Sequence, residues 1–409
     1  MIEYALLVIA LVGFAYALLA ERLSQGVVTP PMVAIGLGLA LAALLGGEGG
    51  QLEETLHLLA EITLVIVLFS DAATVKARAL RAGWALSLRM LLIGLPLAML
   101  FGYLVNLFLL PGWPVWELAL LAAILAPTDA ALGQAVVTNQ NVPERLRNAL
   151  TVESGVNDGL ALPAVLFFGC LAVGGIHDNV QTSWAVFAAK QIGLGSLAGA
   201  AVGAIGALLM TRALRRGLTN ELFEGIGVLA LAALSYLVAI EIGGNGFLAA
   251  FVGGLTFGLL FEKKCKFVLE FLEAEGQLLV LGTFVLLGIV VAPDLVQSLT
   301  PAWIGLILLS LFVTRPLAIW ISLLGSRTTR SDRLFLGWFG PRGLATALFA
   351  LLVLQNFDRL EYGHEILMIC FLGVLISAVL HGISASPVAN RYRQTDPDSK
   401  KPPNEKEAT

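Results

Sequence analysis

Charge is what this chain has least of. Asp, Glu, Lys and Arg make up 13% of its 409 residues, about half the 25% usual for soluble domains. Cysteine is almost missing too. Cys170, Cys265 and Cys370 stand far apart, which excludes a disulfide framework and a zinc-type spacing and leaves them as small packing residues. The four histidines, His57, His177, His364 and His381, fall near segment ends or loops and are not read as functional. There is no Gly-rich phosphate loop and no metalloprotease spacing, so neither an ATP-driven pump nor a soluble enzyme of these kinds is supported. No cofactor and no nucleic-acid partner is expected.

What the chain has is grease and glycine. Hydrophobic residues make up 58% of it, with 43 glycines and a mean hydropathy of +0.86. Close packing of membrane helices uses small residues of this kind, and the expected class is an all-α polytopic membrane protein. Apolar windows of about 20 residues give about 13 spans, near 2–20, 31–47, 55–73, 84–109, 115–137, 149–173, 184–211, 222–242, 245–261, 276–293, 301–324, 333–355 and 363–388. The chain turns apolar at once, with no basic stretch ahead of the first window, so a cleaved signal is not expected and 2–20 is read as the first span. Residues 1–390 form the expected transmembrane domain. Residues 391–409 are polar and charged and read as a short disordered cytoplasmic tail.

Basic residues alternate between loops. One set carries Arg22; Lys76, Arg78 and Arg81; Arg145 and Arg147; Arg212, Arg215 and Arg216; Lys263, Lys264 and Lys266; and Arg327, Arg330 and Arg333, with Arg391 and Arg393 beyond the last span. The other set holds only Arg359. The excess of Lys and Arg marks the cytoplasmic side, which puts the N-terminus outside and the C-terminus in the cytoplasm. An odd number of spans requires the same arrangement.

Two polar clusters interrupt the apolar pattern. Ala126-Pro127-Thr128-Asp129 falls in span five, and Glu153-Ser154-Gly155-Val156-Asn157-Asp158 in span six. An ionisable group at membrane depth costs roughly 3 kcal/mol, so three unpartnered carboxylates would cost roughly 9 kcal/mol. A price of that order marks a site for cations or protons. Pro127 breaks span five, because proline removes a donor and clashes with the preceding turn. Gly340-Pro341-Arg342-Gly343 breaks span twelve. The seven-span offset makes the two broken helices run in opposite directions, the sequence signature of inverted repeats that bind substrate near the bilayer midplane. Two six-helix halves joined through span seven fit the count.

At helical spacing Ser154 and Asp158 share one face of span six, and Glu153 and Asn157 a neighbouring one. Asp129, Asp158, the Ser154 hydroxyl and a carbonyl freed near Thr128 form an oxygen set suited to a hard cation such as sodium. A proton and a cation would compete for the same desolvated carboxylate, and competition with alternating access gives exchange. Glu153 needs a countercharge, for which Arg342 is the expected partner.

The strings Ala126-Pro127-Thr128-Asp129, Glu153 to Gly159 with Asn157-Asp158, and Gly340-Pro341-Arg342-Gly343 resemble the NhaP-type bacterial sodium/proton antiporters. These belong to the first cation:proton antiporter family, which includes animal sodium/proton exchangers. The resemblance spans nearly the whole chain in motif order. It implies 13 helices with broken helices five and twelve crossing near the midplane, a core of spans 4–6 and 11–13, and a homodimer formed by spans 1–3 and 8–10. It also implies that Asp158 carries both ion and proton, that Asp129, Ser154 and the Thr128 main chain coordinate sodium or lithium, and that Asn157 steadies the unwound stretch near Thr128. In the family's second branch two adjacent aspartates accompany electrogenic transport. An Asn before the Asp, as in Asn157-Asp158, accompanies exchange of one cation for one proton.

The expected activity is therefore secondary, electroneutral sodium/proton exchange in a bacterial-type plasma membrane. Potassium/proton exchange on the same fold, or an uncoupled channel or sensor, are the alternatives. Among weaker candidates, Asp71 reads as a helix-end charge near Lys76. Arg315, beside Pro316 in span eleven, reads as structural, satisfying helix-end carbonyls. Arg89 and Lys190 read as snorkelling to the interface, and Glu273 and Glu275 as a solvated surface cluster.

Overall fold

In hydrocarbon every backbone amide must find its partner within its own segment, and the chain answers with helix throughout. The computed structural model describes residues 10–11, 13–19, 30–45, 50–74, 84–129, 134–137, 139, 142–174, 181–261, 266–357 and 359–395, and among them there is no strand. The helices are α1 (Pro30–Leu45), α2 (Gly50–Thr74), α3 (Trp84–Arg89), α4 (Leu95–Leu109), α5 (Val115–Ile124), α6 (Gln134–Val137), α7 (Glu144–Val173), α8 (Gln181–Arg215), α9 (Glu221–Glu241), α10 (Gly246–Leu260), α11 (Lys266–Ser298), α12 (Pro301–Leu309), α13 (Arg315–Ser322), α14 (Arg330–Trp338), α15 (Leu344–Asn356) and α16 (Gly363–Thr395). Among the described residues, eight helices or helical runs are long and apolar enough to cross a bilayer, at expected spans three, four, six, seven, eight, ten, eleven and thirteen. Shorter apolar helices stand at expected spans two, five, nine and twelve. Of the first expected span, only parts of 10–19 are described, and they are helical. The Lys76, Arg78 and Arg81 loop and Lys263 and Lys264 lie outside the described residues. α16 continues to Thr395, into the stretch expected to be a disordered tail from 391, and 396–409 lie outside the described residues.

The helices pack as two groups. α1 lies on α11, α10 on α2 and α8, and α9 on α8 and α10. The α8–α10 contact follows from composition: Gly195, Gly199 and Gly203 form a stripe at four-residue spacing, and a Cβ on any of them would overlap the backbone of Asn245, Ala249 or Gly253. Close backbone approach through small residues is how membrane helices associate without a hydrophobic driving force. In the second group, α5 packs on α4 and α7, α13 on α14, and α15 on α16.

Two rods of the second group are internally matched. α3 and α4 are joined by a π-helical turn at Met90–Gly94, and α12 and α13 by one at Ser310–Thr314. Each turn is followed two residues later by proline, Pro96 or Pro316, whose missing donor cannot close the α-helical ladder. Both rods are seven spans apart, like the two breaks, and they pack on one another. Helix starts are capped in the ordinary way: Thr300 accepts from Trp303 N–H, and Thr329 and Asp332 form a reciprocal box at α14.

Candidate functional site

α5 ends at Ile124, and the chain is non-helical through Asp129. α14 ends at Trp338, and α15 begins at Leu344. The two breaks meet. Asp129 N–H donates to Pro341 O at 2.9 Å, and the Asp129 Oδ2 accepts from Leu344 N–H at 2.9 Å. The second contact seats a carboxylate on the N-terminus of α15, where unpaired amides and the helix dipole favour negative charge. Gly343 is needed beside it, because a Cβ there would occupy the space of the Asp129 side chain.

Arg342 answers the opposite helix end. Its Nη1 donates to Ala126 O at 2.8 Å and Pro127 O at 3.1 Å, and its Nη2 to Ser310 Oγ at 3.1 Å. It is 2% exposed. These carbonyls lie beyond the end of α5, where the chain is non-helical, and the guanidinium satisfies them.

This corrects the expected pairing of Glu153 with Arg342. Glu153 is held by Arg315, in two parallel bonds of 2.9 Å, with both side chains 4% exposed. The fork of a guanidinium matches a carboxylate in this way. The roles of the two arginines are exchanged: Arg315, expected to satisfy helix-end carbonyls, is the countercharge, and Arg342 satisfies the carbonyls. The Ser310–Thr314 π-turn precedes Arg315, and the guanidinium lies across Gly340, where any Cβ would collide with it.

α7 carries the rest. Asn157 is 1% exposed, and its Nδ2 donates to Thr128 Oγ1 at 2.7 Å. Asp158 follows it, with Oδ1 buried and accepting no hydrogen bond. The charges of Asp129, Asp71 and Glu153, in that order, act on the Asp158 carboxylate. Ser154, 8% exposed, lies one turn before Asp158 on the same continuous helix. Asn157 Oδ1 and Thr346 Oγ1, the latter in the first turn of α15, are also buried and accept or donate no hydrogen bond. The structure thus gathers Thr128, Asp129, Asn157 and Asp158 where the two breaks cross. Among the described residues, no three His, Cys, Asp or Glu side chains are grouped so as to hold a metal ion.

Weaker candidates resolve individually. Asp71 is exposed on α2. Arg89 does not merely snorkel, since it donates to Leu324 O at 2.7 Å. Ser310, Thr346, Ser377 and His381 were not legible as members of this neighbourhood. The one signal in sequence for Ser310 was the pair of X-Pro steps at matching places in spans four and eleven.

Inverted broken helices that cross on acidic side chains, with both half-helix ends met by opposite charge, define a polytopic transporter-type membrane protein. The model of the sodium/hydrogen exchanger transmembrane family matches residues 6–391, and the chain belongs to that family. The chain is 27% identical over 377 residues to a K(+)/H(+) antiporter NhaP2 of Shewanella baltica (strain OS223), covering 88% of this chain and 62% of the relative. It is 27% identical over 350 residues to a K(+)/H(+) antiporter NhaP of Alkalimonas amylolytica, covering 84% and 59%. The chain therefore spans about three fifths of the length of these relatives. It shares its fold with the sodium proton antiporter MjNhaP1 of Methanocaldococcus jannaschii at pH 8, with a TM-score of 0.80 at 20% identity over 96% of this chain and 98% of that one.

Proposed function

We propose that the protein exchanges a monovalent cation, sodium or lithium, for a proton across a bacterial-type plasma membrane, with Asp158 as the group that holds either. The observation that carries this is the crossing itself: a buried, unbonded Asp158 oxygen on the residue after Asn157, which bonds Thr128 of the first break, and the neighbouring Asp129 of that break held on the N-terminus of α15. In this reading Asp158 and Asp129 supply charge to the cation, Ser154 a hydroxyl and Thr128 its main-chain carbonyl. Asn157 holds the Thr128 stretch in its open geometry.

Charge counting supports one-for-one exchange. Around the crossing, Asp129, Glu153 and Asp158 face Arg315 and Arg342. With Asp71 set aside as exposed and screened by water, three carboxylates against two guanidinium groups leave one negative charge in excess. One sodium ion or one proton neutralises it, and carrying both would leave an uncompensated positive charge in a low dielectric, which is costly. A single competing site then couples the two fluxes.

The basic-loop pattern supports a cytoplasmic C-terminus, and the family resemblance supports a homodimer formed by spans 1–3 and 8–10. Potassium is the second reading, favoured by the names of the two NhaP-type relatives. Purified protein in proteoliposomes, with proton flux followed as sodium, lithium and potassium are added in turn, separates the two. Sodium and lithium should drive flux in the wild type and none in Asp158→Asn, with potassium much weaker. Flux driven by potassium alone transfers the proposal to the second reading, and undiminished flux in Asp158→Asn removes Asp158 from it.

A further inference from the structure

α16 is an apolar helix, yet one stripe of it is polar. Ser377, His381 and Ser384 recur at four- and three-residue spacing and so share a face. All three are spent on the second break. Ser377 Oγ accepts from Arg342 N–H at 2.7 Å. His381 Nε2 lies 2.9 Å from Trp338 O, the last carbonyl of α14, which also accepts from Gly340 N–H at 2.9 Å. Ser384 Oγ accepts from the Trp338 indole N–H at 3.0 Å. The His381 ring stacks on Trp338, with centroids 4.8 Å apart and planes at 21°, and Trp338 meets Phe312 of the Ser310–Thr314 turn at 4.9 Å. Ser377 and His381 are 0% and 1% exposed.

The imidazole sits between two backbone carbonyls, Trp338 O at Nε2 and Ser377 O at Nδ1, each at 2.9 Å. Ser377 Oγ lies 3.2 Å from Nδ1, and that hydroxyl's oxygen accepts from Arg342 N–H. Both sides of the break are then tied to α16: the last residue of α14, Trp338, through His381, and Arg342 through Ser377. Arg342 in turn holds Ala126 O and Pro127 O, which adjoin Thr128 and Asp129.

We propose that His381 is a positioning residue for the exchange. Through Trp338 O and Ser377 it fixes the second break, hence the reach of Arg342 to the first, hence the placement of the Thr128 and Asp129 oxygens offered to the cation. This rests on the exchange reading above. The sequence hid it because a lone histidine in an apolar segment carries no spacing of its own.

The experiment is the concentration dependence of sodium-driven proton flux in proteoliposomes of the full chain, for wild type, His381→Leu, His381→Gln, Ser377→Ala and His381→Leu/Ser377→Ala, with melting temperature measured alongside. Loss of one ordering hydrogen bond in the chain should raise the apparent cation KM about fivefold in His381→Leu and in Ser377→Ala, with Vmax per folded protein little changed. The double variant should be no worse than either single one, because both cut the same chain. His381→Gln, whose amide can donate to Trp338 O, should recover most of the affinity. A merely structural histidine would lower folded yield and Vmax and leave KM alone, and that result overturns the proposal, as do KM effects that multiply. If His381→Leu does not accumulate, Ser377→Ala and His381→Gln decide on the same KM criterion. A wild type that exchanges no cation at all overturns the exchange reading and this proposal together, whereas exchange with unaltered KM in every variant overturns this one alone.

Discussion

Glu153 and Arg315 show what a buried pair is worth at the scale of single residues. Each is 4% exposed and each is the other's bidentate partner. Removing one strands the other in a low dielectric, at a cost of about 3–5 kcal/mol. Glu153→Gln should therefore lower the melting temperature in detergent sharply, and Glu153→Gln/Arg315→Met should recover much of it. A double-mutant cycle should give a larger coupling for Glu153 with Arg315 than for Glu153 with Arg342. A larger coupling with Arg342 would show that the exchanged arginine roles are wrong. Asn157 is a milder case. Asn157→Ala removes a 2.7 Å bond to Thr128, a net loss of about 1–2 kcal/mol, and should weaken cation affinity more than stability, measured as KM in flux and as melting temperature. From sequence the carboxylates were legible, because a charge in an apolar run is conspicuous. Their partners were not. Two arginines were available to Glu153, and the choice turned on which of them the π-turn at Ser310–Thr314 aimed across Gly340, a matter of three-dimensional geometry.

At the scale of elements, the breaks are the design. Proline and glycine at Pro127 and Gly340-Pro341-Arg342-Gly343 marked both of them in the sequence, and seven spans between them were enough to give opposite directions. The π-turns were missed because Arg315-Pro316 and Leu95-Pro96 each look like an isolated kink, and only their matching positions reveal a pair. The two glycines of the second break separate function from stability. Gly343→Ala places a methyl group in the space of the Asp129 side chain and should abolish exchange by displacing that carboxylate. Gly340→Ala drives a methyl group into the Arg315 guanidinium and should cost about 1–3 kcal/mol of stability, as overpacking does. Flux and thermal unfolding on both variants check this. Equal effects of the two on flux and on melting would mean that the glycines serve only local packing.

At the scale of the whole molecule, the span pattern was legible because hydrocarbon thickness imposes a length that periodicity can find. The division into two packed groups was less so. The α8–α10 contact depends on which glycines face which backbone, and many glycines are available. The proposed one-for-one stoichiometry rests on one excess negative charge among Asp129, Glu153, Asp158, Arg315 and Arg342. Asn157→Asp adds a second titratable carboxylate to that balance, so it should make transport respond to membrane potential, read as a sodium-induced current from proteoliposomes on a solid-supported membrane. An Asn157→Asp protein that exchanges without current would remove charge balance as the source of one-for-one coupling. The most direct measurement is the rate of sodium-driven proton flux in wild-type proteoliposomes, with and without an ionophore that collapses the membrane potential. Charge balance at Asp158 predicts the same rate in both conditions; a rate that rises severalfold when the potential is collapsed would contradict it.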